Sequence, residues 1–194
     1  VMEENKKQLP VIMMAHTTVG GCDFSGHDNT SDYTVGGIDS YELNDMGTGY
    51  DYLALGHIHH AQFVQGGHRR ARYSGTPLPI SFDESYPHSV SIVEINSHGE
   101  TPQVNEIEMN TCRPLVTLPT EGTTTWEKVK ELLANFPNDI EAYIRLNVQV
   151  EDFLPVEANA EAMLLTKEKK CRFCIIHAHR LKNERGEAKM MSVQ

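Results

Sequence analysis

The residues with the clearest chemical potential are three histidines set at the ends of short apolar runs. Asp51-Tyr-Leu-Ala-Leu-Gly56 is followed at once by His57-Ile-His59-His60, and Val11-Ile-Met-Met-Ala15 is followed by His16. Neutral imidazole is a good ligand for zinc, manganese or iron, and donors from separate strand ends can converge on one ion. Residues alternate faces along a strand, so His57 and His59 point the same way only if extended backbone continues past Gly56. Together His16, His57 and His59 would make a mononuclear site that keeps a position open for water. A pair of cations, as used in phosphate-ester cleavage, needs bridging anionic carboxylate as well. Asp23, Asp28, Asp32 and Asp39 follow His16 and could supply it, although their spacing has no ligand rhythm. The plainer reading of His27, His68, His88 and His98 is exposure in polar loops, and of His177 and His179 a shared strand face.

The elements that must position these side chains differ between the two halves of the chain. Up to about Met109 the sequence reads as strands: Val11–Ala15, Asp51–Leu55, Ala61–Gln65, Arg70–Ser74, Val90–Asn96 and Thr101–Met109. Gly66-Gly67 and Ser97-His-Gly99 are hairpin signals. The stretch from His16 to Asp51, with Gly20-Gly21, Ser25-Gly26 and Gly36-Gly37, is a long loop with room for one short helix at Ser40–Met46. After Arg113-Pro114 the pattern becomes strand Leu115–Leu118, then a helix from Thr123-Thr-Thr-Trp-Glu127 carrying Trp126, Val129, Leu132, Leu133 and Phe136 at helical spacing. Strand Ala142–Val150, helix Ala158–Lys170 with Ala160, Met163 and Leu164 on one face, and strand Cys171–His179 follow. That β-α-β-α-β order predicts a small two-layer domain with both helices on one face of a sheet. The expected domains are residues 1–110 and 111–194.

Composition narrows the function. The net charge of −10 argues against a general polyanion binder. It is unevenly spread: residues 1–108 hold 5 Lys/Arg against 15 Asp/Glu, whereas residues 109–194 hold 12 of each. From Leu165 to Lys189 eight basic residues face three glutamates, enough to meet a phosphate backbone or simply to solvate a helix end. Cys22, Cys112, Cys171 and Cys174 form no disulfide framework. Cys171 and Cys174 fall in one strand, where i and i+3 face opposite sides, so reduced thiols in a cytoplasmic protein are the better reading than a metal pair. No stretch approaches the roughly 20 apolar residues needed to cross a bilayer. The start, Val1-Met-Glu-Glu-Asn-Lys-Lys, reads as the interior of a longer protein.

Three motifs carry a resemblance. On Ala15-His16-Thr-Thr-Val-Gly20-Gly21, Asp51-Tyr-Leu-Ala-Leu-Gly-His-Ile-His59 and Arg72-Tyr-Ser-Gly-Thr-Pro-Leu-Pro-Ile-Ser-Phe-Asp-Glu84, the chain resembles the C-terminal part of the SbcD-type nucleases, a branch of the calcineurin-like metallophosphoesterases. A bare Gly-His-x-His is shared by many phosphoesterases, but the third motif is specific to the nuclease branch. The resemblance implies an α/β (α+β) fold: the C-terminal part of a phosphoesterase β-sandwich, then a capping domain. It implies Mn²⁺-dependent exonuclease and endonuclease hydrolysis at duplex DNA ends and hairpins, a homodimer of the nuclease subunit, and an SbcC-type ATPase partner. His16 and His57 resemble ligands of one manganese and His59 a ligand of the other, with no ligand role for His60. The family's Asp-x-His, Gly-Asp and Gly-Asn-His-Asp motifs do not occur here, nor does its segment for docking on the ATPase. This chain by itself is therefore expected to hold one ion or none, to lack catalytic residues, to be inactive, and to self-associate through apolar edges near Val11 and Tyr52. Candidate DNA contacts are Arg69, Arg70 and Arg72, with Lys167, Lys169, Lys170, Arg172, Arg180 and Lys182 in the second half. The alternatives are another phosphoesterase of this superfamily, acting on nucleotides or phosphoproteins, and a non-catalytic DNA-binding or assembly module.

Overall fold

The computed structural model describes residues 4–23 and 40–180, and divides into two units, Val1–Cys112 and Arg113–Gln194. It is a mixed α/β protein of nine strands and two α-helices among the described residues. Ser25-Gly26, His27, Asp28, Asp32, Gly36-Gly37, Asp39, Lys182, Arg185 and Lys189 lie outside them.

In the first unit the apolar runs become parallel strands. β1 (Ile12–His16), β2 (Tyr52–Gly56) and β4 (Ala71–Tyr73) run in one direction, and β3 (Gln62–Phe63) closes the order β1-β2-β4-β3 antiparallel to β4. β2, flanked by a parallel strand on either side, buries Tyr52, Leu53 and Leu55, while Ala54 and Gly56 are partly exposed. Register pairs His16 with Gly56 and Leu55 with Tyr73, so the three parallel strands finish at one edge. Beneath one face lie Val19, Leu53, Leu55, Ile58, Val64, Ala71 and Tyr73. The β3–β4 connection turns through Gly66, His68 and Arg69, all at positive φ. β5 (Ser89–Glu94) and β6 (Gln103–Glu108) form the second antiparallel hairpin, with Gly99 at φ 89° in its loop. The expected helix at Ser40–Met46 contracts to a single 3-10 turn, Leu43–Met46, closed by reciprocal Glu42–Asp45 capping.

The second unit has the expected order: β7 (Leu115–Leu118), α1 (Trp126–Asn135), β8 (Tyr143–Val150), α2 (Ala158–Thr166) and β9 (Arg172–Arg180). The sheet is all parallel, β7-β8-β9. Thr125 caps α1, its hydroxyl accepting from the Lys128 N–H. Trp126, Val129 and Leu133 pack with Ile144, Leu146 and Val148 of β8 and with Ala158 and Ala162 of α2.

α2 departs from the expectation in length and face. It stops at Thr166, whose hydroxyl donates to the Ala162 and Met163 carbonyls. Its buried stripe is Ala158, Ala162 and Thr166, while Ala160, Met163 and Leu164 face outward. Small side chains let the helix approach the sheet and α1, Leu165 is partly buried against that core, and Met163 and Leu164 are left outside. Cys171 is buried and Cys174 exposed.

Candidate functional site

The common edge where β1, β2 and β4 end is the position at which open parallel sheets bind ligands, outside the carboxyl ends of their strands. His16 is the last residue of β1. Gly56 lies opposite it, and a Cβ there would sit 2.8 Å from His16 Nδ1, so glycine is what gives the ring its place. Extended backbone does not continue past Gly56. His57 has φ 100°, a conformation L-residues adopt only under constraint. The alternation argument therefore fails for His57 and His59, and a turn does the work instead. It brings the His57 ring edge-to-face with His16, 5.5 Å between centroids. Met14, Ala54, Arg72 and Ser74 line a concavity of about 400 Å³ beside His16 and Gly56.

His59 is held differently. Its Nδ1 lies 2.8 Å from Glu84 Oε1, and the Glu84 side chain is fully buried. The backbone of His59 is clamped from the β4 side: its carbonyl accepts from the Thr76 N–H at 3.1 Å. Gly75, at φ 73°, approaches so closely that a Cβ would meet that carbonyl at 2.7 Å. His60 stacks on Tyr86 at 4.4 Å and lies 3.5 Å from Asp23 Oδ2. Two imidazoles at 5.5 Å fit one divalent cation in part. Among the described residues no group of three or more His, Cys, Asp or Glu is assembled around a cation position.

Two supporting residues went unnoticed in the sequence. Asp51, a motif residue read only as the start of a strand, is buried and accepts from the Val11 N–H (2.7 Å), the Gly99 N–H (2.6 Å) and His98 Nδ1 (2.8 Å). Burial pushes its carboxyl up, but these hydrogen bonds outweigh that and leave it below the ordinary aspartate value. His98 is accordingly bound to a buried carboxylate and is not a bare loop histidine. Tyr73, buried in β4, accepts from the Val19 N–H and donates to the Thr17 carbonyl, pinning the loop that leaves His16. Burial raises its phenol well above the usual value, and raises the neighbouring Cys22 thiol to about 11.

The basic candidates separate by exposure. Arg72 is only 4% exposed, donates to Ser91 Oγ at 3.1 Å, and is ion-paired with Glu106. It ties β4 to the β5–β6 hairpin. Arg70 donates to the carbonyls of Asp51 and Gly99. Lys169 Nζ donates to the Ala134 and Phe136 carbonyls and to Asn138 Oδ1, closing the end of α1. All three therefore make contacts within the fold. Arg69 is exposed beside Phe63, and Arg180 lies over Phe153 and donates to the Asp152 carbonyl. Exposed Lys167, Lys170 and Arg172 border a concavity of about 510 Å³ in the second unit. Lys182 is outside the described residues. No helix among the described residues is long and apolar enough to cross a membrane.

No protein-family model matches the chain. Curated proteins do. The chain is 35% identical over 114 residues to the SbcD subunit of the SbcCD nuclease from Escherichia coli strain K12, covering 57% of this chain and 26% of that protein. The same subunit from Rhodobacter capsulatus is 34% identical over 117 residues, covering 59% and 27%. That of Bacillus subtilis is 31% identical over 136 residues, covering 67% and 32%. The resemblance carried by the three motifs thus extends across more than half of the chain, and the chain spans between a quarter and a third of the length of these relatives.

Proposed function

We propose that this chain, a relative of the SbcD nuclease subunit over 57–67% of its length, is the part of a metal-dependent DNA nuclease that supplies histidine ligands and a DNA-holding unit. One observation carries the reading. His57 is held at φ 100° so that its ring meets that of His16 where three parallel strands end. A non-glycine residue held in so sparsely populated a region costs on the order of 1–3 kcal/mol, and such outliers gather at functional sites. His16 and His57 would hold one Mn²⁺ and His59 would serve a second; bound there, the ions would polarise a phosphodiester and neutralise charge as it is cleaved. In the second unit Lys167, Lys170 and Arg172 would hold the duplex by its phosphates. The complete nuclease would act on duplex ends and hairpins as a homodimer with an SbcC-type ATPase.

On this reading the chain alone does not cleave DNA, since imidazoles without a bridging carboxylate cannot offset two dications. The test replaces the matching region of the Escherichia coli protein with this chain and measures Mn²⁺-dependent cleavage of linear duplex DNA. Cleavage by the chimera that disappears with His57→Ala is the expected result. Full activity in His57→Ala would overturn the ligand role, and cleavage by the isolated chain would overturn its dependence on further carboxylates. Charge reversal at Lys167 and Lys170 together should weaken duplex binding and lower the salt slope by about two ions.

A further inference from the structure

The stretch from Arg72 to Glu84 ends on a side chain that the proposed reaction does not otherwise use. The Glu84 side chain is fully buried between two imidazoles. Its Oε1 lies 2.8 Å from His59 Nδ1, and its Oε2 accepts from the Ile80 N–H at 2.9 Å and lies 3.7 Å from His88 Nε2. His88, itself buried, has its Nδ1 beside the hydroxyl and carbonyl of Thr76, at 3.1 and 3.2 Å. Thr76 in turn donates its N–H to the His59 carbonyl. The ring and the backbone of His59 are thus gripped by the same short loop.

A buried carboxylate is costly unless hydrogen-bonded, and an ionised one can only accept. Its contact with His59 is therefore a hydrogen bond only when Nδ1 carries the proton. A neutral imidazole has one N–H, so a proton fixed on Nδ1 places the lone pair on Nε2. We propose that Glu84 is a positioning residue: it locks His59 in the Nδ1–H tautomer and orients the ring so that Nε2 is the nitrogen that binds a cation. Metal-binding histidines commonly have their other nitrogen held by a carboxylate in this way, and loss of such a partner weakens metal binding about 10–100-fold. The proposal rests on the reading of His59 as a ligand, but the tautomer can be observed without any metal.

The experiment is a long-range ¹H–¹⁵N correlation spectrum of the histidine rings of this chain, at a pH where they are neutral, with His59 identified through His59→Gln. The expected wild-type spectrum shows His59 carrying its proton on Nδ1 and none on Nε2. Glu84→Gln, whose single amide oxygen can still accept from His59 Nδ1 while the Ile80 N–H bond is given up, should keep that tautomer. Glu84→Ala should move the proton toward Nε2 and raise by about 10–100-fold the Mn²⁺ concentration that broadens the His59 signals. An Nε2–H tautomer in the wild type would overturn the proposal, and this spectrum decides even if Glu84→Ala does not fold. An unchanged Nδ1–H tautomer in a folded Glu84→Ala would also overturn it. An Nδ1–H wild type whose His59 ignores Mn²⁺ would uphold the grip of Glu84 and sink the ligand reading alone.

Discussion

Single residues act at opposite ends of the same strands: Asp51 anchors where β1 and β2 begin, and Gly56 shapes the site where they end. Asp51 gathers Val11, Gly99 and His98 on one buried carboxylate, with the Arg70 guanidinium 3.6 Å away. Asp51→Asn offers an amide N–H where a donor must be accepted, and should cost about 2–4 kcal/mol in denaturant unfolding. The pH dependence has a definite sign. The folded carboxyl sits below its ordinary value, so its contribution is complete above about pH 4 and is lost as pH falls through the folded-state value. Below about pH 4 the stability gap between wild type and Asp51→Asn should therefore narrow; a constant gap down to acid unfolding would contradict this account. Gly56 acts on one ring alone. An added methyl would lie 2.8 Å from His16 Nδ1, with only His16 ring atoms among its near contacts. Because that ring belongs to an exposed side chain it can swing away, so Gly56→Ala should cost only about 1 kcal/mol. It should nonetheless weaken Mn²⁺ binding, read from broadening of the His57 signals. Loss of fold would show that Gly56 matters for more than the ring.

At the level of elements, apolar runs and glycine punctuation were enough to locate β1, β2 and β7 and the two hairpins, and helical spacing from Trp126 to Phe136 located α1. What was not legible depended on partners far away in sequence. The outward turn of Met163 and Leu164 follows from how closely Ala158 and Ala162 let α2 approach, which periodicity does not encode. The sign of φ at His57 is set by packing, and Glu84 reaches His59 across 25 positions. Charge alone does not reveal the partners that Arg72 and Lys169 meet, Glu106 and the carbonyls that close α1. Lys169 offers a clean check. Its ammonium meets two carbonyls at the end of α1 and the Asn138 side chain at 2.7–2.9 Å. Lys169→Ala should destabilise the second unit by about 1–2 kcal/mol in thermal unfolding. The neighbouring exposed Lys170→Ala should stay within about 0.5 kcal/mol. Equal effects would mean that these bonds contribute nothing.

For the molecule as a whole, charge and exposed apolar surface make opposing claims that salt can separate. Among the described residues β1 is an edge strand, and its outward residues Ile12 and Met14 are 57% and 81% exposed. An open parallel edge beside apolar side chains is a template for pairing, which edge lysines normally block. Against that pairing stands the acidic excess, confined to residues 1–108, where 15 acidic side chains outnumber 5 basic ones. Copies meeting through β1 bring these charges together, and their repulsion is screened over about 8–10 Å at physiological ionic strength. Self-association measured by light scattering should therefore strengthen as salt is raised from low to physiological levels, and Met14→Lys should abolish it. Binding of duplex DNA through Lys167, Lys170 and Arg172 should respond in the opposite sense, weakening over the same range as counterions compete for phosphate. A monomer at every salt concentration would show that the β1 edge is not a contact. Association that weakens with salt would place the contact on paired charges elsewhere.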